Sequence, residues 1–312
     1  MEILKKSLVR PIKLNTTVVF LLGMIGGVFI IFHLAFRGDK KVDNNGVQTT
    51  LPQLYLPTVP TEISFAGEQV PLDRWDVNEA FDRELIYNYN NAGHISYLLK
   101  LSKRYFPMIE KKLKENDVPD DFKYLCVAES NLQNLASGVG AKGFWQFMKD
   151  TGSGYGMEIN DNVDERYDME KSTEVACKYL KQAFSKFGNW TAAAASYNCG
   201  MGRFGDVSSF QQTKYYYDLQ LPDETNKYIF RILSFKYLMN NAKEFGYMVD
   251  DANGYRPIKT NTITVDASIA NLAQWALDHG STYKMLKILN PWLRDRSLIA
   301  KSGKTYIIKL PN

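Results

Sequence analysis

The chain has 312 residues, of which 45% are hydrophobic and 23% charged. That balance excludes a disordered or collagen-like polymer, and the scarcity of long apolar stretches excludes a polytopic membrane protein. The formal charge is +4, and Lys5, Lys6, Arg10 and Lys13 against Glu2 account for most of it, so the remainder is near neutral and carries no broad basic surface for nucleic acid.

The first element is an apolar segment. No Asp, Glu, Lys or Arg occurs between Lys13 and Arg37, and Val18 to Phe36 is nearly continuous. At about 1.5 Å per residue such a helix crosses a hydrocarbon core of roughly 30 Å. The basic residues before it would stay cytoplasmic and the rest of the chain would be exported to the periplasm. A cleavable signal peptide is the rival, but its apolar region is usually shorter and followed by a small-residue cleavage site, which HLAFRG is not. The expectation is one transmembrane signal anchor within residues 1–36. Residues 37–69 are polar and then proline-bearing, and read as a linker that lifts a domain off the membrane.

Residues 70–242 are helical in pattern. Tyr97, Leu98, Leu101, Tyr105 and Ile109 recur at helical spacing, as do Val175, Tyr179, Ala183 and Phe187, and later Tyr228, Ile232, Phe235 and Met239. Alternation of the strand type is scarce here, so this is an all-α domain with long loops. From Tyr255 the pattern changes. Thr262 to Val265 and Lys304 to Leu310 alternate like strands, with two short helices expected at Ser268 to His279 and Thr282 to Leu289. Residues 255–312 therefore read as a small βααβ module. The fold class expected is mainly α with this module attached.

Cys126, Cys177 and Cys199 show no CxxC spacing, and His33, His94 and His279 are far apart. There is no zinc or haem pattern, and no metal or cofactor is expected. The cysteines read as small buried residues.

The chemistry concentrates around one glutamate. Pro119, Asp120 and Asp121 suit the positive end of a helix. Glu129 lies seven, four and three residues after Phe122, Leu125 and Cys126, which puts it on the apolar face. A carboxyl group held against apolar side chains has its pKa raised. Still protonated near neutrality, it can donate to a leaving oxygen. A glutamate paired with Lys123 or Lys142 is the alternative. After it, Ala136 to Gly143 is glycine-rich. Gly138, Gly140 and Gly143 match GxGxxG, but no strand precedes them, so a dinucleotide site is not indicated. The loop reads instead as one that lets backbone approach a ligand closely. Phe144 to Met148 sets aromatics beside the Gln146 amide, a combination suited to a sugar ring. Trp190 to Cys199 is a helix of small residues that presents Tyr197 and Asn198 at its end, with Gly200 and Gly202 fitting a sharp exit. Pro222 opens a further helix that carries Tyr228.

Four motifs in this order, Glu129-Ser130, Gly143-Phe-Trp-Gln146, Ser196-Tyr197-Asn198 and Pro222-Asp-Glu224-Thr225-Asn-Lys-Tyr228, resemble the soluble lytic transglycosylase domain. This is the goose-lysozyme-like family of peptidoglycan-cleaving enzymes, here in the manner of the membrane-bound lytic murein transglycosylase D group. The resemblance spans about residues 105–240, with GFWQ in place of a GLMQ-like segment and SYN in place of AYN. It implies a lysozyme-like catalytic domain in which Glu129 is the single catalytic acid and Ser130, Gln146, Tyr197, Asn198 and Tyr228 contact or position substrate. It also implies a reaction on peptidoglycan glycan strands, in which the muramyl C6 hydroxyl closes on C1 and leaves a 1,6-anhydro end. Most glycosidases need two carboxylates. Glu158, Asp161, Asp164 and Glu165 lie in a polar stretch and read as solvated, so a one-carboxylate mechanism is expected.

Residues 255–312 resemble a LysM-type glycan-binding module, although the usual G-D-T turn is replaced by Val265-Asp266-Ala267-Ser268. It either binds glycan or only packs against the catalytic domain. Two further functions compete with the transglycosylase: a lysozyme-like hydrolase that uses the same acid, and a catalytically silent peptidoglycan-binding protein.

Overall fold

The computed structural model describes residues 56–250 and 252–312. The expected anchor within residues 1–36 and the first part of the linker lie outside the described residues. Among the described residues no helix is long and apolar enough to cross a membrane.

The described residues are mainly helical, as the periodicity predicts, with two small two-stranded antiparallel sheets. The first hairpin pairs β1 (Ser64–Phe65) with β2 (Glu68–Gln69). Helices α1 (Trp75–Tyr89), α2 (Ala92–Glu115) and α3 (Phe122–Ser130) follow. After a glycine-rich loop come α4 (Lys149–Gly154) and a 3-10 turn at Glu165–Tyr167. Then come α5 (Met169–Phe187), α6 (Trp190–Cys199), α7 (Met201–Gln211) and α8 (Asp223–Asn240). The C-terminal part runs β3 (Thr260–Val265), α9 (Leu272–Asp278), α10 (Tyr283–Leu289) and β4 (Tyr306–Pro311). Strands β3 and β4 are antiparallel, with Ile263 opposite Ile308.

The linker expected over 37–69 ends earlier than its polarity suggests. Phe65 is fully buried and packs edge-on against Phe122 at 5.2 Å. The turn uses Ala66 and Gly67, both with positive φ, the geometry that lets a two-residue loop match strand twist. Three side chains fasten this hairpin to distant helices. Asp121 accepts from the Ala66 N–H at 2.7 Å, and Lys236 donates to the Ser64 carbonyl at 2.7 Å. Glu68 accepts from the Trp190 and Thr191 N–H groups at 2.5 and 2.9 Å, and so caps α6. The Asp121 carboxylate, expected to serve the start of α3, is spent instead on Ala66 and on Lys236 at 2.7 Å.

The main core gathers Phe81, Leu85, Leu98, Ile109, Leu125, Trp145, Leu180, Ile229 and Leu233, with the four alanines 192–195 fully buried in α6. Their small side chains let helices approach closely around the middle of the domain. A second core lies in the βααβ unit around Leu272, Leu286, Leu293, Leu298 and Ile308, and it takes in Val163 and Tyr167 from the helical domain. Helix α9 begins four residues later than the pattern suggests. Ile269 forms a two-bond bridge with Leu298 at 2.8 and 2.9 Å, which holds the preceding residues extended. The side chain of Asn271 then caps the helix. The three cysteines are free, and Cys126 and Cys177 are buried.

Candidate active site

Four segments meet around Glu129. It sits in the last turn of α3, half-buried, and its Oε1 accepts a hydrogen bond from the hydroxyl of Tyr228 on α8. Tyr228 is itself 1% exposed. Burial pushes the Glu129 carboxyl from 4.5 up to about 7. The Tyr228 hydrogen bond and the charge of Arg231 pull it down, while Glu224 adds to the rise. Lys123 and Lys142 do not pair with it: they engage Glu110 and Asp120, and Asp164, respectively. Glu129 is thus a carboxylic acid poised near neutrality, with a phenol to steady its anion.

Tyr197 and Asn198 end α6, where Gly200 at φ +86° starts the exit. Gly202 lies inside α7, so the turn rests on Gly200 alone. The Tyr197 hydroxyl donates to the Trp145 carbonyl at 2.7 Å. Its ring meets Phe147 and Tyr179 edge-on at 5.7 and 5.1 Å. Burial and the neighbouring Glu129 charge raise the Tyr197 phenol well above its ordinary range, so it stays neutral. Asn198 Oδ1 accepts from the Thr225 hydroxyl at 2.8 Å, which ties the Ser-Tyr-Asn segment to the helix of Tyr228.

The glycine-rich loop folds on itself through bridges Ala136 to Lys142 and Lys142 to Phe147. Gln146 stands at φ +48°, and its Nε2 donates to the Gly143 and Leu135 carbonyls at 2.7 and 3.2 Å. The amide nitrogen therefore shapes the loop. The close backbone approach expected here is real, but its partner is the chain itself: a Cβ on Gly143 would stand 1.8 Å from the Arg166 carbonyl oxygen.

Ser130 departs from the expected arrangement. It is 1% exposed, and its hydroxyl donates to the Cys126 carbonyl at 3.3 Å. One residue along a helix turns the side chain by about 100°, so the neighbour of Glu129 points into the packed interior. The structure brings Glu129, Tyr228, Tyr197, Asn198 and the Gln146 loop together and leaves Ser130 behind them.

The polar stretch after α4 is also less solvated than its composition suggests. Asp164 and Glu165 are 3% and 9% exposed. Asp164 pairs with the buried Arg166 at 2.7 Å, and Glu158 and Glu165 share Lys304 at 2.7 and 2.6 Å. Each of these carboxylates is held by a cation. The carboxylate whose charge does reach Glu129, Glu224, is more than half exposed and held by Arg231 at 2.6 Å. Arg231 also stands 3.7 Å from the buried Glu84. It follows Tyr228 by three residues, a spacing that put it on the same helix face. Among the described residues, no group of three or more His, Cys, Asp or Glu side chains could hold a metal ion.

Residues 106–219 match the family model of the transglycosylase SLT domain, and residues 261–312 match that of the soluble lytic transglycosylase C-terminal LysM-like domain. The chain is 27% identical over 224 residues to membrane-bound lytic murein transglycosylase D of Escherichia coli strain K12, and equally to that of Escherichia coli O6:H1 strain CFT073. The match takes in 70% of this chain and 49% of each relative, so the chain spans about half their length. A solved inactive mutant of the lytic transglycosylase Slt from Pseudomonas aeruginosa aligns with a TM-score of 0.36 and 23% identity. That alignment covers 48% of this chain and 26% of the other.

Proposed function

We propose that this chain, which carries a transglycosylase SLT domain followed by a LysM-like domain, is a peptidoglycan lytic transglycosylase with Glu129 as its single acid and base. The observation that carries the reading is the Glu129 carboxyl, half-buried, raised to about 7 and hydrogen-bonded by Tyr228. Such a group holds a proton at neutral pH and gives it up at modest cost.

In the proposed course, protonated Glu129 donates to the glycosidic oxygen between N-acetylmuramic acid and N-acetylglucosamine. The bond from that oxygen to C1 breaks as the proton arrives. The 2-acetamido oxygen of the muramyl ring stabilises the positive anomeric carbon. Tyr228 meanwhile donates to the Glu129 anion, which limits the cost of leaving a charge among apolar side chains. The carboxylate then takes the proton of the muramyl C6 hydroxyl, whose oxygen bonds to C1. The sugar leaves as a 1,6-anhydro end, Glu129 is protonated again, and no water is consumed. Tyr197, Asn198 and the Gln146 loop line the approach. The apolar segment of residues 18–36 would hold the enzyme in the inner membrane with its catalytic part in the periplasm.

Mass spectrometry of muropeptides released from purified sacculi tests this reading. Products lighter by one water than hydrolytic ones, with no reducing end, are expected. Reducing-end products would make the chain a lysozyme-like hydrolase on the same acid. Sacculus binding without release would make it a silent binding protein.

A further inference from the structure

The C-terminal part grips one segment of the helical domain, residues 158–170, at many points. The Asp164 N–H donates to the Trp292 carbonyl at 2.9 Å, and the Arg294 N–H donates to the Asn162 carbonyl at 2.7 Å. Lys304 bridges Glu158 and Glu165, and Lys309 pairs with Glu170 at 2.6 Å. The Arg294 guanidinium lies 4.1 Å from the centre of the Tyr167 ring. Val163 and Tyr167 are buried in the core of the C-terminal part.

The other side of the same segment grips the glycine-rich loop. Arg166 is 3% exposed and forks onto Asp164 with contacts of 2.9 and 2.7 Å. Its remaining Nη1 donates to the Gly140 and Phe147 carbonyls at 3.1 and 3.2 Å. The Arg166 carbonyl lies against Gly143, and the Tyr167 carbonyl accepts from Asn134 at 3.0 Å. The middle of the loop and its C-terminal end are therefore both held from one buried guanidinium. That loop carries Gln146 and offers the Trp145 carbonyl to Tyr197.

We propose that the LysM-like module braces the candidate active site: by holding residues 158–170 it seats Arg166, a positioning residue, which fixes the loop that presents Trp145 and Gln146. A guanidinium suits this role, because its rigid fork is locked by Asp164 while a further N–H is left for the two carbonyls. Lys304 is the keystone on the module side. Without it, Glu158 and Glu165 face each other as unneutralised and largely buried carboxylates, which repel.

The test is Lys304→Met in the full chain, read by amide hydrogen exchange and by kinetics on peptidoglycan. The exchange readout stands whether or not the chain is a transglycosylase; the kinetic readout rests on that reading. The Lys142 and Gly143 amides, bonded to the Phe147 and Leu135 carbonyls, should exchange roughly tenfold faster. The kcat should fall by about tenfold with KM nearly unchanged, because misplaced groups cost turnover more than binding. Lys304→Arg should restore both. Loop amides that exchange at the wild-type rate while β4 loosens would overturn the brace, and so would a raised KM with unchanged kcat. If Lys304→Met does not fold, Arg294→Ala, which removes the contact on Tyr167 and an exposed hydrogen bond to the Pro291 carbonyl, reads the same amides with the same two outcomes.

Discussion

At the scale of single residues, Glu129 sets the pH behaviour. Its carboxyl holds a proton to about pH 7 in the folded chain and releases it near 4.5 when unfolded. Between those values the native state binds more protons, so stability falls as pH rises. Glu129→Gln lacks this penalty. Thermal melts should show the variant level with the wild type near pH 4 and more stable by up to about 3 kcal/mol at pH 8. The same substitution should cut glycan cleavage by roughly a thousandfold or more, since an amide has no acidic proton to give. Activity should fall above about pH 7. Arg231→Gln removes a cation that favours the anion, so the alkaline limb should move to higher pH; Glu224→Gln should move it lower. A pH-rate profile of the two variants checks the opposite signs. The position of Glu129 was legible in its spacing from Phe122, Leu125 and Cys126. Ser130 was placed beside it by resemblance alone, and helix geometry turns it inward. No local pattern marks Arg166 or Arg231, because their partners lie distant in sequence or two full turns away.

At the scale of elements, the helices other than α9 followed their periodicity and the turns did not. The hairpin at residues 64–69 was hidden because Ala66 occupies a positive φ that usually signals glycine or asparagine. Its polar composition matched a tether, yet Glu68 caps the helix that ends in Tyr197 and Asn198. Glu68→Ala should cost about 1–2 kcal/mol in a denaturant melt, the range for losing a helix cap. Gly143 is more severe. A methyl group there meets the Arg166 carbonyl at 1.8 Å on a backbone at φ +84°. Gly143→Ala should therefore exceed about 4 kcal/mol of destabilisation or fail to fold, as measured by calorimetry of the soluble fraction. The glycine-rich pattern was visible in the sequence, but its reason, packing against a segment twenty-three residues later, was not.

At the scale of the whole molecule, the two cores are joined through Val163 and Tyr167. Glu158 and Glu165 read as solvent-exposed because the cation that satisfies them, Lys304, comes from the far end of the chain. Deleting residues 255–312 should uncover both side chains, at about 1.5–3 kcal/mol each, and lower the melting temperature, with dye binding reporting the exposed surface.

The first hairpin carries a consequence for how the chain comes to be folded. Its anchors are Asp121, Trp190, Thr191 and Lys236, up to 172 residues away. A chain emerging from its amino end makes the hairpin early, but its anchors arrive one after another, Asp121 first and Lys236 last. Contacts of such separation are made late and slowly. The helices that carry Glu129, Tyr197 and Tyr228 are each tied to that hairpin or to the residues beside it, so they lock together only when the chain is nearly whole. A chain built this way completes its candidate active site last.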